Sequence, residues 1–312
     1  MSGHASGVES EEHPGFLSYE VPDTLGRHIR FFLSRRPNVS SEPLPVALYV
    51  QGSGCHSLFR VDHEGRFRSG PQNLLRRAAG GRLRILAVEK PGVPFLYWPG
   101  PTGTTLSCPQ EFHTEHTLER WLAALRASLH TSLNDESVAR DRTIVVGHSE
   151  GGLCAAALAR RETRITHVVL LSSSGVNQLL ELVEVQKLKA QSDRQLETQQ
   201  PDDDVYAIWE RIKADPNSTT DFAWGHPYRR WASFLSTSTL DELRGWRGKV
   251  LVVHGENDST VPISSIETLV GELLKSGVDV TFRKIKGGDH GCCSGAVDCE
   301  ALMSDIVEWG LS

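Results

Sequence analysis

One serine in the chain lies in a setting that suits a nucleophile. Ser149 belongs to the segment Gly147-His-Ser-Glu-Gly-Gly152, between an apolar strand predicted at 143–146 and an Ala-rich helix predicted at 151–161. A serine in a strained turn between strand and helix projects its hydroxyl above a sheet, which requires small neighbours such as Gly147 and Gly151. The segment indicates covalent catalysis by serine, and a flexible glycine turn is the alternative.

The segment from Gly147 to Gly151 resembles the nucleophile elbow of the α/β-hydrolase family, and the resemblance extends over residues 17–310. It implies a mostly parallel sheet flanked by helices, a catalytic triad and acyl-enzyme chemistry. The serine at position 149 excludes the dehalogenase and epoxide-hydrolase branches of the family, which require aspartate there.

A serine hydroxyl is a weak nucleophile at neutral pH and needs a base, which in turn needs a group that orients it. His290 follows a strand predicted at 278–285, where the family places its histidine. Asp258 follows a strand predicted at 250–253 and resembles the acid loop of the family. The chain order Ser149, Asp258, His290 is also the order of this fold. We predict that His290 is the general base and that Asp258 orients it.

Two other acids lie close in sequence to this pair. Asp289 is adjacent to His290, so its side chain is expected to point elsewhere, and Glu256 comes earlier than the acid of the family usually does. We expect both acids to be solvated or to stabilise their loops. An Asx turn at Asp258 and a surface position for His290 are the alternatives to their catalytic roles.

Acyl transfer also needs hydrogen-bond donors for the developing oxyanion. One expected donor is the backbone N–H of Glu150, directly after the nucleophile. The second is expected from Ser53 or Gly54, after an apolar strand predicted at 46–50. This segment resembles the oxyanion segment of the family, with Gln51 in place of the usual histidine, and a plain glycine turn is the alternative.

An aromatic cluster lies in the last third of the chain. Its members are Phe222, Trp224, Tyr228, Trp231 and Phe234. Pockets for small molecules are mostly apolar, so the cluster suits a substrate pocket, and packing onto the sheet explains it equally well. Arg229 and Arg230 are expected to be solvated, with binding of an anionic substrate as the alternative.

Strand and helix patterns alternate along most of the chain, which predicts an α/β fold with a mostly parallel sheet flanked by helices. Two further strands, at 17–21 and 28–33, suggest an antiparallel edge. The buried strands are predicted at 46–50, 83–88, 143–146, 167–171, 250–253 and 278–285, and the helices at 74–79, 113–132, 151–161, 264–275 and 300–309.

The alternation breaks at residues 177–245, where the pattern is helical and contains no convincing strand. The simplest interpretation is a helical cap inserted after the sixth strand. The α/β-hydrolase core then comprises residues 16–176 and 246–312. Residues 1–15 have almost nothing to bury and are predicted to form a disordered tail.

The composition argues against several classes of protein. The formal net charge is -6 with both signs interspersed, so we expect no binding of nucleic acid. The N-terminus lacks the pattern of a signal peptide, and no apolar run has the roughly 18 residues of a membrane span. We therefore expect a cytoplasmic protein.

The cysteines are expected to be reduced thiols, since the chain is long and shows no secretion signal. The six are Cys55, Cys108, Cys154, Cys292, Cys293 and Cys299. A disulfide from Cys292 or Cys293 to Cys55 or Cys108 is the alternative. The spacing of the last three cysteines does not suit zinc, and the predicted chemistry needs neither a metal nor an organic cofactor.

We predict a carboxylesterase that acts on a small-molecule acyl substrate. An aminopeptidase, a thioesterase and a lactonase of the same fold are alternatives. An aminopeptidase would need acids to hold the substrate ammonium, and the candidates are Glu150 and the run Asp202-Asp-Asp204. A ligand-binding protein with an intact triad is a further alternative, because fold does not decide function.

Overall fold

A large sheet forms the centre of the molecule and places the candidate site at one of its edges. The computed structural model describes residues 15–36, 42–100, 105–193, 204–292 and 298–312. The predicted tail, residues 1–15, lies outside the described residues except for Gly15. No helix within the described ranges is long and apolar enough to cross a membrane.

The described residues form twelve strands and ten helices, with a short 3-10 turn at Thr105–Ser107. The strands are β1 Phe16–Pro22, β2 His28–Ser34, β3 Leu44–Val50, β4 Phe59–Val61, β5 Phe67–Ser69, β6 Arg84–Val88, β7 Val138–His148, β8 His167–Leu171, β9 Phe222–Ala223, β10 His226–Pro227, β11 Lys249–Gly255 and β12 Asp279–Ile285. The helices are α1 Pro71–Ala79, α2 Gln110–Glu115, α3 Leu118–Leu133, α4 Glu150–Arg161, α5 Gln178–Asp193, α6 Val205–Ala214, α7 Tyr228–Phe234, α8 Thr239–Leu243, α9 Ile263–Lys275 and α10 Cys299–Leu311.

Eight strands form the large sheet in the order β1-β2-β6-β3-β7-β8-β11-β12. The pairs β1–β2 and β2–β6 are antiparallel, and the other neighbours are parallel. This confirms the predicted α/β class and the antiparallel edge. The parallel strands end at one edge of the sheet, which is where open α/β sheets place their ligands.

The central strands are buried on both faces, which explains their continuous apolar runs. Along β7, Val145 belongs to the core beneath α3, α4, α8 and α9, whereas Val146 belongs to the core beneath α1 and α10. Successive side chains of a strand point to opposite faces, so one strand supplies both cores. The sheet is therefore held from both sides and gives the loops at its carboxyl edge a rigid base.

The structure corrects the long helix predicted at 113–132. The chain forms α2 and α3 instead, because the Thr117 side chain caps the N-terminus of α3 by accepting the N–H of Arg120. The residue at the break, His116, points its ring at the Glu150 carboxylate. A helix running through this point would hold His116 in a different direction.

Two short hairpins were not predicted. Strands β4 and β5 pair around a turn in which Asp62 accepts the N–H groups of Glu64 and Arg66. Within the predicted insertion, residues 177–245, β9 and β10 pair around Trp224, where no convincing strand was expected. Strands of two or three residues are too short to give a periodic signal.

The turn between β7 and α4 leaves no room for side chains next to Ser149. Ser149 has φ 55° and ψ -125°, outside the usual regions for residues other than glycine. A Cβ atom on Gly147 would lie 2.2 Å from the carbonyl oxygen of Gly151, and one on Gly151 would lie 2.2 Å from that of Val50. The two glycines allow the strand and the helix to approach this closely.

We expect Gly151→Ala to lower the free energy of unfolding by about 3 kcal/mol or more, because a rigid backbone oxygen occupies the space of the new methyl group. Gly271→Ala in α9 is the control. Nothing lies within 4 Å of its added Cβ, so it should raise the free energy by about 0.5–1 kcal/mol. Urea denaturation measures both, and a Gly151→Ala protein as stable as wild type would contradict the turn geometry.

The expectation that all cysteines are reduced is wrong for two of them. Cys55 and Cys108 form a disulfide, with their Cα atoms 5.7 Å apart. The alternative pairing also fails for Cys292, which is a buried free thiol, and Cys293 lies outside the described residues. The prediction of reduced thiols rested on the lack of a secretion signal, and a disulfide gives no support to the predicted cytoplasmic location, because disulfides persist mainly in oxidising compartments.

Alkylation of the denatured chain should therefore modify two more cysteines after reduction than before it. Intact mass spectrometry counts the added groups. In a Cys55→Ser variant the partner thiol is free, so prior reduction should make no difference. Equal alkylation of wild type with and without reductant would exclude the disulfide.

Candidate active site

The three side chains predicted to form a triad meet at the carboxyl edge of the sheet. Ser149 follows β7, Asp258 follows β11 and His290 follows β12. The distance from His290 Nε2 to Ser149 Oγ is 3.0 Å, and that from His290 Nδ1 to Asp258 Oδ2 is 2.8 Å. Both lie within the range needed for proton transfer and for orientation of the ring.

The Asp258 carboxylate is fixed by its own loop. Its Oδ1 accepts the N–H groups of Thr260 (2.8 Å) and Val261 (3.0 Å), which leaves Oδ2 for His290. Burial alone would raise the pKa of Asp258. The hydrogen bonds from His290, Val261 and Thr260 outweigh burial and lower the pKa, so the group faces His290 as an anion.

A second histidine holds the loop that carries His290. His148 Nε2 lies 3.1 Å from the carbonyl oxygen of His290. Burial lowers the pKa of His148, so at neutral pH the ring is uncharged and donates this hydrogen bond from Nε2. Sequence reasoning missed this role, although His148 is adjacent to the serine.

The two competing acids take part in loop structure, as expected. Asp289 accepts the N–H of Gly291 at 2.9 Å, and Glu256 accepts the N–H of Gly287 at 3.2 Å. Asp258, by contrast, reaches the His290 ring.

The segment predicted to supply an oxyanion donor lies against Ser149. A Cβ atom on Gly52 would lie 3.0 Å from the Ser149 Cβ atom. Lys90, just after β6, donates from Nζ to the carbonyl oxygens of Gly52 (2.5 Å) and Gly54 (3.2 Å). The peptide unit between Gly52 and Ser53 is planar and trans, so with the Gly52 carbonyl held towards Lys90, the N–H of Ser53 points to the opposite side. Sequence reasoning did not find Lys90.

The residue after the serine carries a buried carboxylate that several donors surround. Glu150 Oε1 lies 2.7 Å from His116 Nε2 and 3.4 Å from Lys90 Nζ. Glu150 Oε2 accepts Arg230 Nε at 3.0 Å and Nη2 at 2.5 Å. The expectation that Arg230 is solvated is therefore wrong: the side chain is 3% exposed and its guanidinium lies 3.9 Å from the ring centroid of Trp231.

This cluster has a definite charge pattern. Burial would raise the pKa of Glu150, but His116, Arg230 and Lys90 hold it well below its usual range, so the group is ionised. Burial lowers the pKa of His116 to about 4, so its neutral ring donates a hydrogen bond to the carboxylate. The Glu150 carboxylate thus lies between two cations, Lys90 after β6 and Arg230 of α7.

Two cavities meet at Ser149. The cap cavity, of about 240 Å³, lies between the serine and α5 and α7, and Trp224 and Trp231 line it with Glu181. The hairpin cavity, of about 300 Å³, extends towards β4 and is lined in part by His290. Ser53 and Ser149 line both.

The predicted aromatic pocket forms only in part. Phe222 and Tyr228 do not line the cap cavity. Phe222 contacts the ring of His113, and Tyr228 packs in the apolar cluster beneath α6 and α7. Phe234 is fully buried in the main core. Among the described residues, no group of His, Cys, Asp or Glu side chains could hold a metal ion.

The fold and the serine site define an α/β-hydrolase of the serine hydrolase class. The sequence profile of the prolyl oligopeptidase family matches residues 125–311, more than half of the chain, and the chain belongs to this family. A search of curated proteins finds no significant match.

Solved structures with the same fold include two esterases. Est1E from Butyrivibrio proteoclasticus superposes with a TM-score of 0.60 at 18% identity, covering 95% of this chain and 98% of that one. The esterase domain of a Rhodothermus marinus protein gives 0.55 at 14% identity, with 94% and 97% covered. At such identities the likeness shows the fold alone.

A peptidase has the same fold. Acylaminoacyl peptidase from Pyrococcus horikoshii superposes with a TM-score of 0.63 at 12% identity, covering 96% of this chain but 42% of the peptidase. The present chain therefore corresponds to less than half of that protein.

We expect Arg230→Met to lower the free energy of unfolding by about 3–5 kcal/mol, because it leaves a buried carboxylate short of its bidentate partner. Arg229→Met is the matched control. Arg229 is half-buried on the same helix, so its loss should change the free energy by about 0.5 kcal/mol or less. Urea denaturation compares the two, and a loss of about 0.5 kcal/mol or less for Arg230→Met would contradict a buried, ionised Glu150 that depends on Arg230.

Proposed function

We propose that the protein hydrolyses carboxylic esters through an acyl-enzyme, with Ser149 as nucleophile, His290 as general base and Asp258 as the acid that orients the histidine. The observation that carries this proposal is the pair of hydrogen bonds that links Asp258 to His290 (2.8 Å) and His290 to Ser149 (3.0 Å). Ser149 also lies where the two cavities meet. No cofactor takes part in the proposed cycle.

In the first half of the cycle Ser149 Oγ attacks the ester carbonyl while His290 Nε2 takes its proton. The N–H of Glu150 and that of Ser53 or Gly54 bind the oxyanion. The C–O bond to the leaving group then breaks as His290 returns the proton to that oxygen. In the second half, water attacks the carbonyl of the acyl-enzyme while His290 takes its proton. The C–O bond to Ser149 then breaks as His290 returns the proton to Oγ, which releases the acid.

The acidic residues that could bind the ammonium group of an aminopeptidase substrate do not favour that activity. Glu150 is already neutralised by Arg230 and Lys90. Asp204 caps α6 by accepting the N–H of Tyr206, and the other two acids of that run lie outside the described residues. Ester hydrolysis needs no such acid, since the triad and the oxyanion donors suffice.

Glu181 is a second acid that lines the cap cavity. Its Oε1 accepts hydrogen bonds from Ser174 Oγ, Gly175 N and Ser265 Oγ, and burial raises its pKa to about 7. Near neutral pH the carboxyl group is therefore only partly ionised in the absence of a cationic ligand, and an uncharged acyl group is compatible with it.

Cleavage of a peptide bond is the second candidate, since the chain belongs to the prolyl oligopeptidase family. The same residues would act in the same roles. An amine is a poorer leaving group than an alcohol, so its expulsion depends more strongly on the proton from His290.

A fluorophosphonate should label wild type once per chain, and Ser149→Ala should abolish both labelling and hydrolysis of p-nitrophenyl esters. The loss of turnover should be about 10³-fold or more, since the nucleophile itself is removed. Intact mass spectrometry and release of p-nitrophenol measure the two effects. Ser236→Ala, which removes an exposed serine, is the control.

Parallel assays with N-acylated and free aminoacyl p-nitroanilides separate the candidates. Esterase activity without anilide cleavage supports the proposal. Cleavage of the anilides that is faster than hydrolysis of the esters would show that the protein is a peptidase. A well-folded wild type that neither reacts with fluorophosphonate nor turns over any ester would refute the serine mechanism.

A further inference from the structure

The position of His290 assigns the two halves of a substrate to the two cavities. In the proposed cycle the proton passes from His290 Nε2 to the leaving-group oxygen, so the leaving group must lie beside that ring. His290 lines the hairpin cavity and does not line the cap cavity. The leaving group therefore belongs in the hairpin cavity, and the acyl group belongs in the cap cavity against Trp224 and Trp231.

One cation lines the hairpin cavity without a carboxylate partner. Arg60 is the middle residue of β4, and its neighbour Phe59 is buried in the core against Phe16 and Phe32. Because side chains alternate along a strand, Arg60 points away from that core, and it lines the cavity. Within the parts of the chain that the structure describes, no carboxylate forms an ion pair with it, since Asp62 pairs with Arg66 and Arg68.

The charge of the hairpin cavity is one-sided. None of the described residues that line it is Asp or Glu, and His56 lies beside Arg60. Burial, Arg60 and Lys90 lower the pKa of His56, so its neutral ring adds a hydrogen-bonding group without a second charge. The carboxyl group behind the wall, Glu89, binds Ser57 and the N–H of Leu58, and burial raises its pKa to about 8.

We propose that Arg60 selects substrates whose leaving group carries an anionic substituent, a carboxylate above all. A guanidinium presents paired N–H donors that match the two oxygens of a carboxylate. The inference rests on the proposed acyl-enzyme cycle and adds a substrate class to it. If the bond cleaved is a peptide bond, the same preference applies to an amine product with a free terminal carboxylate.

Two butyrate esters that differ in leaving-group charge test the proposal. One is the ester of para-hydroxybenzoate and the other that of para-hydroxybenzamide, which has a similar shape and no charge. The measured quantity is kcat/KM for the carboxylate ester divided by kcat/KM for the amide ester. This ratio should be about tenfold higher for wild type than for Arg60→Met, which is the low end for the loss of a charge-assisted hydrogen bond at a half-exposed site.

Arg68→Met is the matched control, because Arg68 faces Arg60 across the β4–β5 pair but is held by Asp62 and does not line the cavity. It should keep the preference of wild type, and Arg60→Lys should keep part of it. Labelling of Arg60→Met once per chain by the fluorophosphonate shows that the fold and the triad are intact. A preference that survives in Arg60→Met, or that Arg68→Met reduces equally, would overturn the role of Arg60.

A binding measurement keeps this test independent of turnover. Titration calorimetry of the Ser149→Ala variant should show tighter binding of para-hydroxybenzoate than of para-hydroxybenzamide, and Arg60→Met in that background should remove the difference. Equal binding of the two phenols overturns the inference even if esters are hydrolysed. Unequal binding without turnover or fluorophosphonate labelling would instead show that the catalytic proposal is wrong while the anion site exists.

Discussion

The buried carboxylate of Glu150 is the constraint on which the site depends. It directly follows Ser149, the proposed nucleophile, so it cannot move without moving the turn in which Ser149 is strained. Its two oxygens bind Lys90, which follows β6 and holds the carbonyls of Gly52 and Gly54, and Arg230 from α7, with His116 as a third partner. A charge removed from water is tolerated only when such partners surround it, so all these segments must arrive together before the carboxylate can be buried. The same condition fixes the position of α7 over the sheet.

The fold, and the positions at which Ser149, Asp258 and His290 meet, could be predicted from the sequence because both depend on local signals. Continuous apolar runs identified the buried strands, and Ser149, Asp258 and His290 each come directly after one of them. Parallel strands end at a common edge, so side chains far apart in the chain are brought together there. Small errors at strand ends did not affect this result.

The remaining parts of the site could not be predicted in that way. Arg230 lies 80 positions from its partner Glu150, and Lys90 lies 60 positions away. From the sequence alone, an arginine next to aromatic residues cannot be distinguished from a solvent-exposed arginine, because its acid partner lies far away in the chain. The hairpin that carries Arg60 has strands of only three residues, and the Cys55–Cys108 disulfide depends on distance in space rather than on spacing in sequence.

The contact between Gly52 and Ser149 limits which residues can occupy this segment. A Cβ atom added at position 52 would lie 3.0 Å from the Cβ atom of Ser149. The neighbouring side chain is under no such limit: Gln51 turns back to donate from Nε2 to the carbonyl oxygen of His56 at 3.3 Å. Position 51 can therefore accept other side chains, whereas a side chain at position 52 would require Ser149 or His148 to shift by a few tenths of an ångström, which favours glycine there. In related chains, a variable residue at position 51 beside a constant glycine at position 52 would indicate that this segment acts through its backbone rather than through its side chains.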